Sequence, residues 1–269
     1  IFNTIYRFVP DFWPKINQRL MLISGGAAGL AAAFNTPLGG IVFAIEELGK
    51  THLNAMRTHL FTAVIIAGLT SQLFLGSSIL LRIIRWKKIL KYTKQKAAWA
   101  ILMGLLFATL VFFTGNDSTG SGKTVMVNLL FNENATTQWH TFPSRFFASI
   151  ITYVSGGAGG IFAPSLSIGA TLGDGIVNLL NIPEFKNLII ITSMIAFMTG
   201  VTHAPFTSFI LVLEMTNRHT SVFSMMLAAL IAISVAKILN KKSFYEQLVE
   251  DYLNSPLFTP KKEKNKFIK

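Results

Sequence analysis

Long apolar stretches dominate this chain, and most of them are broken by glycine or proline. The main stretches are Leu20–Ile45, 57–75, Ala97–Thr114, Ile161–Leu180, Leu188–Val201, Phe206–Leu213 and 222–239. Charged residues make up only 13% of the sequence, whereas a soluble domain usually carries about 25%. We therefore predict an all-α, multi-pass membrane protein with one membrane domain, because no polar linker divides the middle of the chain. The same composition excludes a soluble helical scaffold.

Several of these stretches are shorter than the thickness of a bilayer. Ala97–Thr114 is near the lower limit for a crossing, and 125–131 and 144–154 are shorter still. We interpret the two short stretches as half-spans or tilted segments. Broken helices whose ends meet near the middle of the membrane are typical of secondary transporters.

An internal similarity supports this interpretation. Pro37 is followed nine residues on by Glu46, and Pro205 is followed nine residues on by Glu214, each pair enclosing an apolar stretch. Paired, proline-interrupted segments are the expected trace of a structural repeat. We predict that Glu214 has a structural role, as a partner of backbone N–H groups or of Arg218.

The net charge of +12 comes from clustered basic residues, chiefly in Arg82–Lys96 and in the tail 251–269. In a membrane protein such clusters first indicate topology, because cytoplasmic loops are enriched in Lys and Arg. Nucleic-acid binding is the other use of basic patches, but no recognition module accompanies them here. We expect no nucleic-acid partner.

The glycine-rich loop Ser155-Gly-Gly-Ala-Gly-Gly-Ile-Phe-Ala-Pro164 is the clearest candidate for a binding site. Pro164 is suited to the first position of a helix, where its missing N–H costs nothing. The free N–H groups at a helix start, together with the helix dipole, attract anions. Between two apolar spans, the loop predicts a buried anion site. We interpret Asp174, further along, as a helix-end or turn residue.

Other chemistries find little support in the sequence. There is no cysteine, and the five histidines show no paired-ligand spacing, so a metal site is not expected. The run Asp117-Ser-Thr-Gly-Ser-Gly-Lys-Thr124 resembles a phosphate-binding loop, but Asp117 replaces its first glycine and an apolar span precedes it. No convergent nucleophile or metal set is present. We therefore expect a protein that is not an enzyme and has no cofactor.

Taken together, the motifs resemble the CLC family of chloride channels and chloride/proton exchangers. Gly160-Ile-Phe-Ala-Pro164 is similar to that family's G-x-F-x-P anion-binding motif, and the segment 27–47 resembles its helix ending in paired glutamates. The segments 211–216 and 242–245 resemble two later parts of the family. The resemblance covers most of residues 20–250 in the family's order and implies an inverted-repeat architecture.

The resemblance also implies roles for particular residues. The amides of Ile161 and Phe162, next to Gly160, would bind a dehydrated anion, and the Tyr245 hydroxyl would contact it from the cytoplasmic side. Glu47 would transfer protons on the inner side, with Glu46 as an assistant beside it.

Each of these residues also has a plainer interpretation. Glu46 and Glu47 could mark a solvated helix end, Phe162 could be a core residue, and Tyr245 could be an interfacial tyrosine. Adjacent residues lie about 100° apart on a helix, so the two carboxylates cannot face the same way. One of them could therefore face a proton route while the other packs or pairs.

The chain departs from the family in two places. The family's G-S-G-I-P and G-[RK]-E-G-P segments, the second of which carries the gating glutamate, occur nowhere in the sequence and belong upstream of Ile1. If Glu47 lies at the cytoplasmic side, the span 57–75 ends outside and would place the basic cluster Arg82–Lys96 outside too. That conflicts with the tendency of basic residues to lie on the cytoplasmic side. We therefore expect missing segments before residue 1 and near residue 78. Residues 1–250 would form the C-terminal part of the membrane domain, and 251–269 a basic cytoplasmic tail.

The expected function is exchange of chloride for protons across a membrane, with chloride as the bound substrate. A passive voltage- or pH-gated chloride channel of the same fold is the alternative, and the carboxylate at Glu47 favours the exchanger. The resemblance further implies a homodimer in the bilayer, in a bacterial inner membrane.

Overall fold

The computed structural model describes residues 18–48, 94–132, 134–155 and 160–247. Several expectations fall on residues outside these ranges. They concern the apolar span 57–75, most of the basic cluster at 82–96, the tail 251–269, the glycines within 156–159, and His52 and His59.

Within the described ranges the chain is helical and contains no strand. In chain order the helices are α1 (Gln18–Phe34), α2 (Pro37–Phe43), α3 (Lys94–Thr114), α4 (Lys123–Phe131), α5 (Thr141–Val154), α6 (Phe162–Leu180), α7 (Lys186–Thr202), α8 (Pro205–Thr216) and α9 (Val222–Leu239). One π-helical turn, Ala44–Leu48, continues α2. A helical turn at 244–247 follows α9. The all-α prediction is confirmed.

The predicted repeat is present in the fold as two matching helix pairs, α1–α2 and α7–α8. Each first helix ends at a residue in the left-handed region, Asn35 with φ 56° or His203 with φ 57°. Each second helix begins two residues later with proline at its first position, at Pro37 or Pro205. Proline stops the first helix and is tolerated at the start of the second, because an N–H there would have no intrahelical partner.

Helix α7 lies at the centre of the main core. Its side chains Ile190, Met194, Ile195 and Met198 are fully buried, and α6, α8, α9 and α4 pack around it. Helix α6 approaches α7 closely at Gly169, where a Cβ atom would stand 2.6 Å from the Met194 Cα. Small residues at such points let helix backbones approach closely, which is typical of membrane helix packing.

The outer surfaces of the bundle are apolar. Two stretches in the described ranges, Pro183–Thr202 and His219–Gln247, are long and apolar enough to cross a membrane. Large apolar side chains on α9 and α3 are exposed, among them Phe223, Ile238 and Phe112. Exposed apolar surface on this scale indicates contact with lipid or with another subunit rather than with water.

Two local predictions were wrong. Pro164 is the third residue of α6, which begins at Phe162, although Pro164 still lies in the first turn, where its missing N–H has no partner to lose. Asp174 lies inside α6 rather than at a helix end, and it is fully buried. Its Oδ2 accepts hydrogen bonds from the Thr137 N–H at 2.7 Å and from the Thr137 hydroxyl at 2.6 Å. A distant loop therefore supplies partners for one oxygen of this carboxylate, while Oδ1 has no partner among the described residues.

The loop between α3 and α4 is not a phosphate-binding loop. A helix, α3, precedes it where such a loop would follow a strand. The loop instead packs into the bundle, since Ser118 is buried and its hydroxyl donates to the Ser144 hydroxyl at 2.7 Å.

Candidate functional site

The start of α6 forms one wall of the candidate site. Ile161 is the N-cap residue, Phe162 and Ala163 follow, and Pro164 completes the first turn. The backbone N–H groups of a first helical turn have no intrahelical partner and lie at the positive end of the helix dipole. A Cβ atom added at Gly160 would meet nothing within 4 Å, so open space lies beside the backbone here. The geometry suits a small anion held by backbone amides.

An aromatic cluster joins this wall to the other predicted elements. The Phe162 ring lies 5.3 Å from the Phe43 ring in an edge-on arrangement and 6.4 Å from the Tyr245 ring, measured between centroids. The Phe43 and Tyr245 rings lie 6.3 Å apart, and Phe34 packs on Phe162 at 6.2 Å. Such pairs lie within the usual range for aromatic contacts. Residues from α1, α2, α6 and the 244–247 turn therefore meet at one place.

The π-helical turn carries both candidate glutamates and separates them. Glu46 faces the start of α8, where its Oε1 accepts the Phe206 N–H at 3.1 Å and its Oε2 accepts the Thr207 N–H at 2.7 Å. The Glu47 carboxylate interacts electrostatically with the Tyr245 hydroxyl. Single π-helical turns often occur at functional sites, where they change the register of a helix. The two carboxylates thus face different neighbours, as helical geometry predicts.

A cavity of about 630 Å³ extends from the start of α6 towards α5. Gly160, Ile161 and Ser165 line one side of it, and Phe244 and Arg145 lie on other sides. The cavity therefore adjoins Gly160 and Ile161, whereas Phe162 and Tyr245 do not line it.

Arg145 is a buried cation in the wall of this cavity that the sequence analysis missed. Only 4% of its surface is exposed. Its Nη1 donates to the Ser167 hydroxyl at 3.2 Å and its Nη2 to the Thr119 carbonyl at 3.4 Å, while its Nε has no partner among the described residues. A lone arginine within the apolar stretch 144–154 was the available signal, because ionisable residues inside membrane segments are often functional.

The structure thus brings together Phe162, Tyr245 and the helix that carries Glu47, with Gly160 and Ile161 at the adjoining helix start. Glu46 lies one residue from Glu47 but faces α8. Within the described ranges no group of three or more His, Asp or Glu side chains could hold a metal ion.

Comparison with known sequences matches the chain to one protein family. The sequence model of the family described as "Voltage gated chloride channel" matches residues 7–85 and 79–237 of the chain. The two matched ranges overlap at residues 79–85, and together they span most of the chain.

Curated relatives point to the same family. The chain is 27% identical to the H(+)/Cl(-) exchange transporter ClcA of Vibrio vulnificus (strain YJ016), covering 85% of this chain and 58% of the relative. It is 27% identical to the ClcA of Klebsiella pneumoniae (strain 342), with coverage of 87% and 59%. The chain therefore spans somewhat more than half the length of these relatives.

A solved structure shares the fold. The X-ray crystal structure of a slow cyanobacterial Cl⁻/H⁺ antiporter superposes with a TM-score of 0.65 and 22% sequence identity. The match covers 90% of this chain and 67% of that one. This similarity supports the helical membrane architecture.

Proposed function

The chain belongs to the voltage-gated chloride channel family, and from that membership we propose that it forms part of an antiporter exchanging chloride for protons. The observation that carries the proposal is the aromatic cluster at the start of α6. There Phe162 and Tyr245 meet the helix that carries Glu47. On this proposal, backbone donors for an anion and a carboxylate that can carry a proton would lie in the same part of the fold.

The anion would bind at the start of α6. The N–H groups of Ile161 and Phe162, beside Gly160, would replace part of the hydration shell of chloride, and the Tyr245 hydroxyl would donate from another direction. Dipoles of this kind stabilise an anion without a full counter-charge, so the anion can also leave. Rapid transport needs that balance.

Protons would follow a separate route through Glu47. A carboxylate can take up and release a proton, and carboxylates within membrane proteins commonly mark proton relays. On this proposal Glu47, in the π-helical turn that follows Phe43, would lie near the anion path but outside it. Glu46, beside it in the same turn, would assist.

The remaining features of the proposal concern the assembly. Residues 1–250 belong to the membrane domain, 251–269 form a basic cytoplasmic tail, and a segment is missing near residue 78, where the two family matches meet. The exposed apolar face of α9 provides surface for a homodimer within a bacterial inner membrane. A measured mass of 29.6 kDa for the intact protein would contradict the proposal that segments are missing.

Flux measurements on the full-length protein in liposomes test the function. An outward chloride gradient should drive protons inward against their own gradient. Glu47→Gln should abolish that proton movement and spare chloride flux, because the amide cannot carry a proton. Chloride flux without any proton movement in the parent protein would contradict the exchanger and identify a passive channel.

A further inference from the structure

The two half-helices of the repeat cap each other through glutamates. Glu214, near the end of α8, accepts the Leu38 N–H at 3.3 Å and the Gly39 N–H at 3.0 Å at the start of α2. Glu46, just past the end of α2, accepts the N–H groups of Phe206 and Thr207 at the start of α8. Since the end of each helix lies at the start of the other, α2 and α8 are antiparallel.

Each cap satisfies backbone donors that the local sequence leaves without partners. The N-cap residues Thr36 and Ala204 make no side-chain capping hydrogen bond. In each helix proline occupies the first position, so the second and third N–H groups are the ones that need an acceptor. A carboxylate from the partner helix supplies it in both cases, and its charge opposes the positive end of the helix dipole.

The two caps are not equivalent in strength. Glu46 accepts a third hydrogen bond, from the Thr207 hydroxyl to Oε2 at 2.7 Å, and its carboxylate therefore uses three of about four acceptor positions. A carboxylate held in this way cannot turn towards another partner without breaking several hydrogen bonds. Glu46 is thus fixed, whereas a proton carrier must be able to exchange its proton with successive partners.

We propose that Glu46 is a positioning residue, and that its cap on α8 fixes the π-helical turn that carries Glu47. This inference rests on the proposed function, in which Glu47 transfers the proton. Because Glu46 and Glu47 are adjacent, the direction of one carboxylate constrains the direction of the other. Loss of the cap lets the turn rotate, and fewer protons are then transported for each chloride.

Substitutions at Glu46 separate positioning from proton transfer, measured as the proton-to-chloride transport ratio of the full-length protein in liposomes. Glu46→Gln keeps one carbonyl oxygen that can accept an N–H group at the start of α8 but cannot carry a proton, and we expect it to lower the ratio by about two- to fivefold. Glu46→Ala removes the acceptor, and we expect a fall of about fivefold or more. A Glu46→Gln protein as uncoupled as Glu47→Gln would overturn the proposal.

The partner side of the cap gives a milder test that does not alter a carboxylate. Thr207→Val removes one hydrogen bond to Glu46 with little change in shape, and we expect the transport ratio to fall by about two- to fivefold. Thr207→Ser keeps a hydroxyl and should retain the parent ratio. Equal ratios for the Val and Ser variants would contradict a positioning role for the cap.

Glu214→Ala is the matched control for the loss of a cap as such. It removes the equivalent carboxylate from the other half of the repeat, away from Glu47. We expect lower thermal stability with the parent transport ratio. If Glu214→Ala uncouples transport as strongly as Glu46→Ala, general loosening of the helix pair explains both, and the specific role of Glu46 is refuted. Full coupling in Glu47→Gln would instead refute the proposed function.

Discussion

Removal of the Glu214 carboxylate should destabilise the protein by an amount set by its two hydrogen bonds. Glu214→Ala leaves the Leu38 and Gly39 N–H groups at the start of α2 without their acceptor. The loss of an N-terminal cap costs about 0.5–2 kcal/mol, and loss of a charge near the helix dipole costs about 0.3–1 kcal/mol more. The expected loss in the free energy of unfolding is therefore about 1–3 kcal/mol.

The same reasoning ranks a small series of variants. Glu46→Ala should lower the free energy of unfolding by about 1 kcal/mol more than Glu214→Ala does, because Glu46 accepts an additional hydrogen bond from Thr207. Glu214→Gln should lower the free energy of unfolding by about half as much as Glu214→Ala, since the amide keeps one oxygen acceptor but no charge. Glu184 is exposed in the turn before α7, and Glu184→Ala should change stability by less than about 0.5 kcal/mol.

Equilibrium unfolding of the full-length protein in mixed micelles measures these differences. From most to least stable, we expect the parent and Glu184→Ala first, followed by Glu214→Gln, Glu214→Ala and Glu46→Ala. If Glu214→Ala is as stable as Glu184→Ala, the carboxylate does not hold the start of α2, and the reciprocal capping of the two half-helices is refuted.

Two further predictions concern packing and the anion site. Gly169→Ala should destabilise the protein by about 1–3 kcal/mol in the same unfolding assay, since its Cβ would stand 2.6 Å from the Met194 Cα. Gly175→Ala is the control, because its Cβ meets nothing within 4 Å, and it should not destabilise the protein. Equal losses of stability in the two variants would contradict the close approach of α6 and α7. Tyr245→Phe should weaken chloride binding by roughly two- to tenfold through loss of one hydroxyl donor. Calorimetric titration checks this against Tyr153→Phe, and equal affinities in the two variants would remove Tyr245 from the site.

The repeat was predictable because its signals are local in the chain. A proline nine residues before a glutamate, preceded by a short polar break, recurs at Pro37 and Pro205. Proline fixes the start of each second helix, and the enclosed apolar stretch sets its length. The start of each second helix therefore follows from short-range rules, whereas the inverted arrangement was implied by the family resemblance. The role of Glu214 as a backbone acceptor was predicted for the same reason, although its partner was not identified.

The partners of buried charges were not predictable, because they come from distant parts of the chain. Glu46 meets residues 160 and 161 positions away. Asp174 reads as a turn residue beside two glycines, yet the Thr137 loop provides it with donors inside the bundle. Arg145 likewise depends on Ser167 and on a loop carbonyl. Only the packing of helices against one another creates these contacts.

The candidate site was only partly predictable from the sequence. The motif at Gly160 and the position of Tyr245 were identified from the family resemblance, but their contact depends on the tertiary fold. Phe43 was not singled out, although it packs on both Phe162 and Tyr245 and so connects the helix of Glu47 to the anion wall. An apolar residue in an apolar stretch gives no sequence signal of such a position.

The central claim is that an anion binds where the start of α6 meets Tyr245. Crystals of the full-length protein grown with bromide in place of chloride test it directly, because bromide scatters anomalously. We predict an anomalous peak within hydrogen-bonding distance of the Ile161 and Phe162 N–H groups, on the side that faces the Tyr245 hydroxyl. Well-ordered density for this region with no bromide at the start of α6 would contradict the account.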